Sequence, residues 1–249
     1  MFRIYALVAS LLTSSACFSA APLVIDYPQL NLSLQYPQAV RLEKALDDAQ
    51  TQLSKNAYSL QDYAIANRLF NHQKQSQAEQ LQRRTVSKLR VLSRGQTDLS
   101  PLLDLADQVA SWNVGYRERL SLDIDEVRIT PASNPMLRGH FSLIAPPRSK
   151  TITIAGLIHS PSQTQVKAGN TAADYLNNAL LLPGANKSFA WLIYPDGETR
   201  QIGYAYWNDE RTPVPPGSTL YIGFDAPSAK LQQLEQDIVL LIGWKKDIK

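Results

Sequence analysis

The chain has few of the side chains that bind metals or carry out redox chemistry. Its 249 residues include one cysteine, three histidines and two methionines. Cys17 lies in the N-terminal segment, so a chain that has lost this segment has no thiol for a disulfide or a thiolate. His72, His140 and His159 are far apart in the sequence, without the spacing that places two imidazoles on one helix face. We therefore predict no metal site and no cofactor.

The chain also has no large excess of either positive or negative charge. The 25 lysines and arginines against 22 acidic residues give a formal net charge of +3. This field is too weak to indicate nucleic acid as a partner, and no basic stripe with interleaved aromatic residues is present. The segment from 74 to 94 is locally basic. It is either a solvated helix face or a docking surface for an acidic partner or an anionic polymer.

Long apolar runs are missing as well. The run from Ile4 to Leu12 follows Arg3 and precedes small residues up to Ala21, which is the outline of a cleavable signal peptide over residues 1–21. The run is too short to span a bilayer. Cleavage after Ser19 and after Ala20 both remain open. The segment predicts an exported protein, and in a Gram-negative envelope a periplasmic one.

Residues 148–225 have the pattern of one complete small fold. Ile152 and Ile154 alternate with threonines as in a strand, and a helix follows the N-cap signal at Thr171. Two alternating segments then flank the turn Pro195-Asp196-Gly197, and a last strand ends near Phe224. The order strand, strand, helix, strand, strand, strand predicts a β-grasp domain.

Residues 22–147 predict a second grasp-like domain. Leu30, Leu32 and Leu34 alternate as in a strand, and a helix is expected from Val40 to Leu53. A helical hairpin insertion is expected at about 59–94, and a further helix starts at Ser100-Pro101. Alternation predicts late strands over 120–129 and 141–145. The fold class is therefore α+β, with two β-grasp-like domains.

Residues 226–249 predict a C-terminal amphipathic helix. Leu231, Leu234, Ile238 and Leu241 share one side, whereas polar residues stand opposite. This apolar face either packs on its own domain, or it mediates self-association or peripheral membrane contact.

No motif indicates a catalytic centre. The sequence has no G-x-S-x-G elbow and no glycine loop that would cradle a phosphate. Carboxylates occur as sequence neighbours, such as Asp196 with Glu198, and sequence neighbours do not face each other across a substrate as glycoside hydrolysis requires. We interpret them as surface charge and predict a protein that is not an enzyme and has no catalytic residues.

Two clusters are candidates for binding. Tyr204, Tyr206 and Trp207 belong to an aromatic-rich hairpin, where exposed rings would form a platform for sugars and buried rings would fill a core. A second set has side chains of both charges, which would either line a polar cleft or form exposed ion pairs. Its members are Asp123, Asp125, Arg128 and Arg138.

Several segments together resemble one protein family. They are Leu122 to Arg128, Asn134-Pro135 with Phe141-Ser142-Leu143, Ile193 to Gly197, Tyr206-Trp207-Asn208 and Pro215 to Ile222. In this order they resemble the GfcC-type capsule biosynthesis proteins over most of the chain beyond the signal peptide.

The resemblance implies a periplasmic, non-enzymatic accessory protein of a group 4 capsule or exopolysaccharide operon. It implies two β-grasp domains and a layout similar to the soluble domains of Wza-type exporters. The expected partners are a polysaccharide or the outer-membrane polysaccharide export machinery. The alternative is a hydrolase that modifies the polysaccharide. Family members are expected to have an important arginine in a cleft, for which Arg128 is the best match.

Overall fold

The computed structural model describes residues 22–55, 59–94, 100–225 and 227–246. The predicted signal peptide over 1–21 lies outside these residues. The described chain contains six α-helices and three β-sheets, so the predicted mixed α+β fold with a C-terminal helix is confirmed. Within the same residues, no helix has both the length and the apolar character needed to cross a membrane.

The first half is built on a four-stranded sheet of order β2-β1-β6-β4. Its strands are β1 (Leu23–Tyr27), β2 (Leu32–Tyr36), β4 (Arg68–Asn71) and β6 (Gly139–Ile144), and β3 (Val40–Arg41) pairs separately with β5 (Met136–Leu137). Strand β1 is antiparallel to β2 and parallel to β6. Its alternate residues Leu23, Ile25 and Tyr27 are buried in one core with the apolar face of helix α1 (Leu42–Ser54).

The second half has a five-stranded sheet of order β10-β9-β11-β7-β8. Its strands are β7 (Thr151–Gly156), β8 (Ser162–Gln165), β9 (Phe189–Ile193), β10 (Thr199–Gly203) and β11 (Thr219–Ile222). Helix α5 (Ala172–Leu176) begins with a capping box between Thr171 and Asp174. The last strand, β11, runs parallel to the first, β7. The predicted order of elements is present, and the β-grasp description stays a prediction with which this topology agrees.

The helical hairpin is present, but the predicted bounds of 59–94 are wrong. Only one of its helices, α2 (Gln75–Ser93), falls in that range, and its partner is α3 (Ser100–Ser111). The expected first helix is instead a short 3-10 turn, Ala64–Ala66, followed by strand β4. Antiparallel pairing of β4 with β6 fixes this segment, and local apolar spacing contains no information about such a distant partner.

The predicted strands over 120–129 are also wrong. Residues 120–123 have no regular secondary structure, and helix α4 (Ile124–Ile129) follows with Asp123 as its N-cap. The Asp123 carboxylate accepts a hydrogen bond of 2.9 Å from the backbone N–H of Asp125. Ile124 and Val127 are the buried residues of this helix, and their spacing of three places both on one helical face.

Helix α6 (Ala229–Gly243) packs its apolar face against the rest of the chain. Leu234, Ile238 and Leu241 belong to one core with α2, α3 and the second sheet. Lys88 of α2 forms a 3.0 Å ion pair with the buried Asp237 of α6, which neutralises part of the basic helix surface. The apolar face that membrane contact or self-association would need is therefore covered by the chain itself, and those two expectations stay predictions.

Candidate functional site

A short extended segment places one arginine in the middle of the molecule. Residues on both sides of Arg117 bond to strand β4: the N–H of Asn71 donates to the Tyr116 carbonyl, and the N–H of Glu118 donates to the Leu69 carbonyl. Alternation in extended chain sends the Arg117 side chain to the opposite side from its neighbours. As a result, Arg117 is buried, with 7% of its surface exposed.

The guanidinium of Arg117 joins three distant parts of the chain. It donates hydrogen bonds to the carbonyl oxygens of Pro195 at 2.9 Å, Asn67 at 3.2 Å and Gly243 at 3.3 Å. Pro195 begins the turn between β9 and β10, Asn67 precedes β4, and Gly243 ends α6. Three carbonyl dipoles thus fix the side chain in one orientation.

The buried guanidinium of Arg117 stays protonated although it is shielded from water. Burial, and next the nearby positive charge of Arg68, lower the pKa of Arg117 to about 9, so the guanidinium remains a cation at neutral pH. Within the described residues, no carboxylate lies within ion-pair distance of it, and the charge of Asp196 raises its pKa only in part. A buried cation that is not fully compensated is costly to the folded state.

The Arg117 cleft, as we name it, is a cavity of about 490 Å³ between the two halves. Besides Arg117 it is lined by four cationic side chains, and none of its described lining residues is acidic. Two tyrosines, Tyr63 and Tyr194, also line it. The hydroxyl of Tyr63 donates a 2.6 Å hydrogen bond to the Pro216 carbonyl, which joins the two halves at this wall. The cations are Arg68, Arg148, Lys150 and Lys245.

A second cavity, the acidic groove, lies on the other side of Arg117. It has a volume of about 690 Å³. Two arginines, Arg117 and Arg119, line it together with four carboxylates, Asp123, Glu126, Asp196 and Glu198. Asp123 caps α4, and the Asp196 carboxylate accepts the backbone N–H of Glu198 at 2.8 Å. These two carboxylates are therefore already used to shape the local backbone.

The predicted polar cluster is only partly assembled. Arg128 is half exposed on α4 and forms a 2.8 Å ion pair with Asp47, with Asp125 at 3.8 Å. Asp123 points into the acidic groove, and Arg138 is exposed. Arg117 lines the cleft, whereas α4 presents Arg128 to solvent outside it. The match of Arg128 to the arginine of the family stays a prediction.

The predicted aromatic residues separate into two kinds. Tyr204 is buried, and its hydroxyl donates a 2.7 Å hydrogen bond to the Asn186 carbonyl, so it belongs to the core. Tyr206 is fully exposed and Trp207 is 71% exposed. The Trp207 ring lies edge-on to Phe189, with the ring centroids 6.2 Å apart. Tyr206, Trp207 and Phe189 form what we call the aromatic platform.

Arg117 was missed because its own segment resembles a loop. Gly115, Tyr116 and Arg117 follow the end of α3 and have no periodic pattern, and arginines in such segments are usually exposed. Its hydrogen-bond partners are 50, 78 and 126 residues away in the sequence. Only the pairing with β4 could have indicated that this side chain points inward.

Comparison with known proteins identifies relatives over most of the chain. A family model described as "Capsule biosynthesis GfcC, N-terminal" matches residues 21–148, and one described as "Capsule biosynthesis GfcC C-terminal" matches residues 160–245. The chain is also similar to the "Uncharacterized protein YjbG" of Escherichia coli (strain K12), with 37% identity over 126 residues. This alignment covers 51% of each protein, so the chain spans about half the length of that curated relative.

Proposed function

The chain belongs to the GfcC family of capsule biosynthesis proteins, and on this premise we propose that it binds an acidic stretch of polysaccharide in the Arg117 cleft. The observation that carries the proposal is a buried guanidinium with no carboxylate in ion-pair contact among the described residues, in a cleft whose other charged lining residues are cationic. The protein acts without catalysis, as an accessory factor of the capsule or exopolysaccharide pathway.

Arg117 has donors left for a ligand. A guanidinium has five N–H groups, and three of them point to the carbonyls of Asn67, Pro195 and Gly243. The N–H at Nε and one N–H at Nη1 remain for a carboxylate or phosphate oxygen of the polymer. Because the site is already largely dry, binding an anion there costs little further desolvation of the cation.

The other walls of the cleft suit a charged sugar. Arg148 and Lys150 are exposed at its edge, where they would attract an acidic polymer at low ionic strength. Tyr63 and Tyr194 also line the cleft, and aromatic rings can pack against the apolar side of a pyranose. The Arg148 guanidinium lies over one face of the Tyr63 ring, 5.8 Å from its centroid. The cleft thus combines long-range attraction with short-range packing.

The second candidate function is hydrolysis of the polysaccharide. It is favoured by one observation, which is that carboxylates from two distant segments, such as Glu126 and Glu198, line the same groove. Against it, Asp123 and Asp196 serve as local caps, and the Glu126 carboxylate accepts a 2.8 Å hydrogen bond from the Ser121 hydroxyl. Binding without cleavage is therefore the function we propose.

We propose the periplasm as the place of action, on the basis of the signal-peptide pattern in residues 1–21. In that compartment the protein would meet the polymer near the outer-membrane export machinery, which we propose as its protein partner. Nucleic acid is not proposed as a partner, because the net charge is small.

The test compares the affinity of the protein for an acidic polymer with its affinity for a neutral one. Purified protein is measured by isothermal titration calorimetry with polygalacturonate and with dextran, at low and high salt. Wild type is compared with Arg117→Gln, with the double variant Arg148→Gln/Lys150→Gln, and with Arg128→Gln as the matched exposed-arginine control. We expect salt-sensitive binding of polygalacturonate only, lost in the first two variants and kept in the control.

The double variant Arg148→Gln/Lys150→Gln tests the cleft even if Arg117→Gln does not fold. Arg148 and Lys150 are exposed, so their replacement should leave the fold intact. Equal binding by wild type and the Arg148→Gln/Lys150→Gln protein would remove the cleft as the site. New reducing ends in the polygalacturonate incubation, lost in Glu126→Gln, would establish the hydrolase function in place of binding alone.

A further inference from the structure

Two of the three histidines, far apart in sequence, lie face to face in the structure. The rings of His72 and His140 are stacked, with centroids 4.1 Å apart and planes 11° from parallel. The Nε2 atom of His140 is 2.5 Å from a carboxylate oxygen of Asp26. We propose that Asp26, His72 and His140 form a binding site for one divalent transition-metal ion of the Zn²⁺ class, which would reverse our prediction from the sequence that there is no metal site.

The fold delivers the three side chains to one face of the first sheet. Asp26 is in β1 and His140 is in the adjacent parallel strand β6, where Asp26 is opposite Ser142. His72 directly follows β4, which pairs with β6 on its other side. Phe141 and Leu143 alternate with His140 and point to the core beneath α1, so His140 points away from it.

The donor set selects the class of metal. Two imidazoles and one carboxylate suit Zn²⁺ and its neighbours, whereas Mg²⁺ and Ca²⁺ prefer oxygen ligands alone. One potential ligand atom from each of the three residues lies within 4.8 Å of the others. In a tetrahedral site with metal bonds of about 2.0–2.1 Å, the ligand atoms lie about 3.3 Å apart. Rotation of the side chains would therefore have to open the contact between His140 and Asp26 and bring the most distant ligand atoms closer together.

The surroundings also suit a metal site. The hydroxyl of Ser142 is 2.6 Å from Nε2 of His72, a partner of the kind that orients imidazole ligands. The side chains of His140 and Asp26 are 45% and 35% exposed, so an ion can reach them from solvent. Three protein ligands leave one position for water. An ion there would join β1, β4 and β6 and stabilise the folded chain.

The proposal does not depend on polysaccharide binding. Tag-free protein is titrated with ZnCl₂ by calorimetry and with CoCl₂ by absorption spectroscopy, and thermal unfolding is recorded with and without Zn²⁺. We expect one ion per chain, the intense visible bands of four-coordinate Co²⁺, and a higher unfolding temperature with Zn²⁺. His140→Ala and Asp26→Asn should weaken binding by at least about tenfold, and Ser142→Ala by about tenfold.

His159→Ala is the matched control, since His159 is exposed and belongs to the other half of the chain. It should bind as wild type does. Asp26→Asn keeps a side chain of the same shape and so separates loss of a ligand from loss of fold. Affinity for Zn²⁺ that is equal in wild type, His140→Ala and Asp26→Asn, or wild-type protein that binds no stoichiometric ion, would overturn the site.

Discussion

The indole N–H of Trp191 in β9 donates a 2.6 Å hydrogen bond to the carboxylate of Glu235 in α6. The other oxygen of the same carboxylate accepts the backbone N–H of Phe224 at 2.7 Å. Glu235 is 6% exposed, so both donors rely on it in a place with little water. One side chain thus attaches the C-terminal helix to two parts of the second half.

The first prediction is that Glu235→Ala destabilises the protein by roughly 2–4 kcal/mol, because two buried donors lose their acceptor. Glu235→Gln should cost less, since its one amide oxygen can serve one of the two donors. Urea unfolding followed by tryptophan fluorescence measures the change. Gln236→Ala, one position further on the exposed side of α6, is the control and should stay within about 0.5 kcal/mol of wild type.

The second prediction concerns two tyrosines whose buried hydroxyls have no hydrogen-bond partner in the described part of the chain, Tyr27 and Tyr221. Tyr27→Phe and Tyr221→Phe should each stabilise the protein by about 1 kcal/mol at neutral pH, because they remove a buried polar group that lacks a bond. Tyr204→Phe is the opposite control, since the Tyr204 hydroxyl has the Asn186 carbonyl as acceptor. Loss of stability in all three variants would contradict the prediction.

The third prediction is alkaline unfolding. Burial raises the pKa of both Tyr27 and Tyr221 far above the ordinary value of 10.0. Below pH 10 the phenol keeps its proton in both the folded and the unfolded chain. Above pH 10 the unfolded chain releases this proton and the folded chain keeps it, so the free energy of unfolding falls as the pH rises. The free energy of unfolding should therefore fall above pH 10. The fall should be shallower in the double variant Tyr27→Phe/Tyr221→Phe, and identical pH profiles would contradict this.

The fourth prediction concerns the aromatic platform. Tyr206 and Trp207 are exposed, so the double variant Tyr206→Ala/Trp207→Ala should change stability by no more than about 0.5 kcal/mol. If sugars stack on these rings, the same variant should bind polysaccharide several-fold more weakly. Calorimetry with polygalacturonate measures the change, and equal affinity of the double variant and wild type would contradict the prediction. Leu180→Ala, an exposed apolar side chain in the same half, should leave binding unchanged.

The parts of the fold that the sequence predicts well are those with a local signal. The capping residue Thr171 precedes α5, and the turn Pro195-Asp196-Gly197 joins β9 to β10, as expected from their chemistry. The apolar positions of α1 were likewise predicted, because Leu42, Ala45 and Leu46 follow helical spacing within one segment.

The parts that could not be predicted depend on distant pairing. Phe70 lies in a strand only because β6 is beside it, and Arg117 is buried only because its segment adds to β4. His72 and His140 meet for the same reason, since β4 and β6 pair across the intervening hairpin. Periodicity within a window contains no information about such distant partners, so it could not indicate that Arg117 is buried.

The hairpin of α2 and α3 comes from the first half of the chain, yet its apolar face lies in one core with α6. Because α6 follows the whole second sheet in the sequence, part of that face stays uncovered until the chain has been made as far as α6. A fragment ending at residue 148 would therefore expose the apolar face of α2 and α3 to solvent. An exposed apolar surface of this kind favours aggregation. The packing of a hairpin from the first half therefore depends on a helix that the second half supplies.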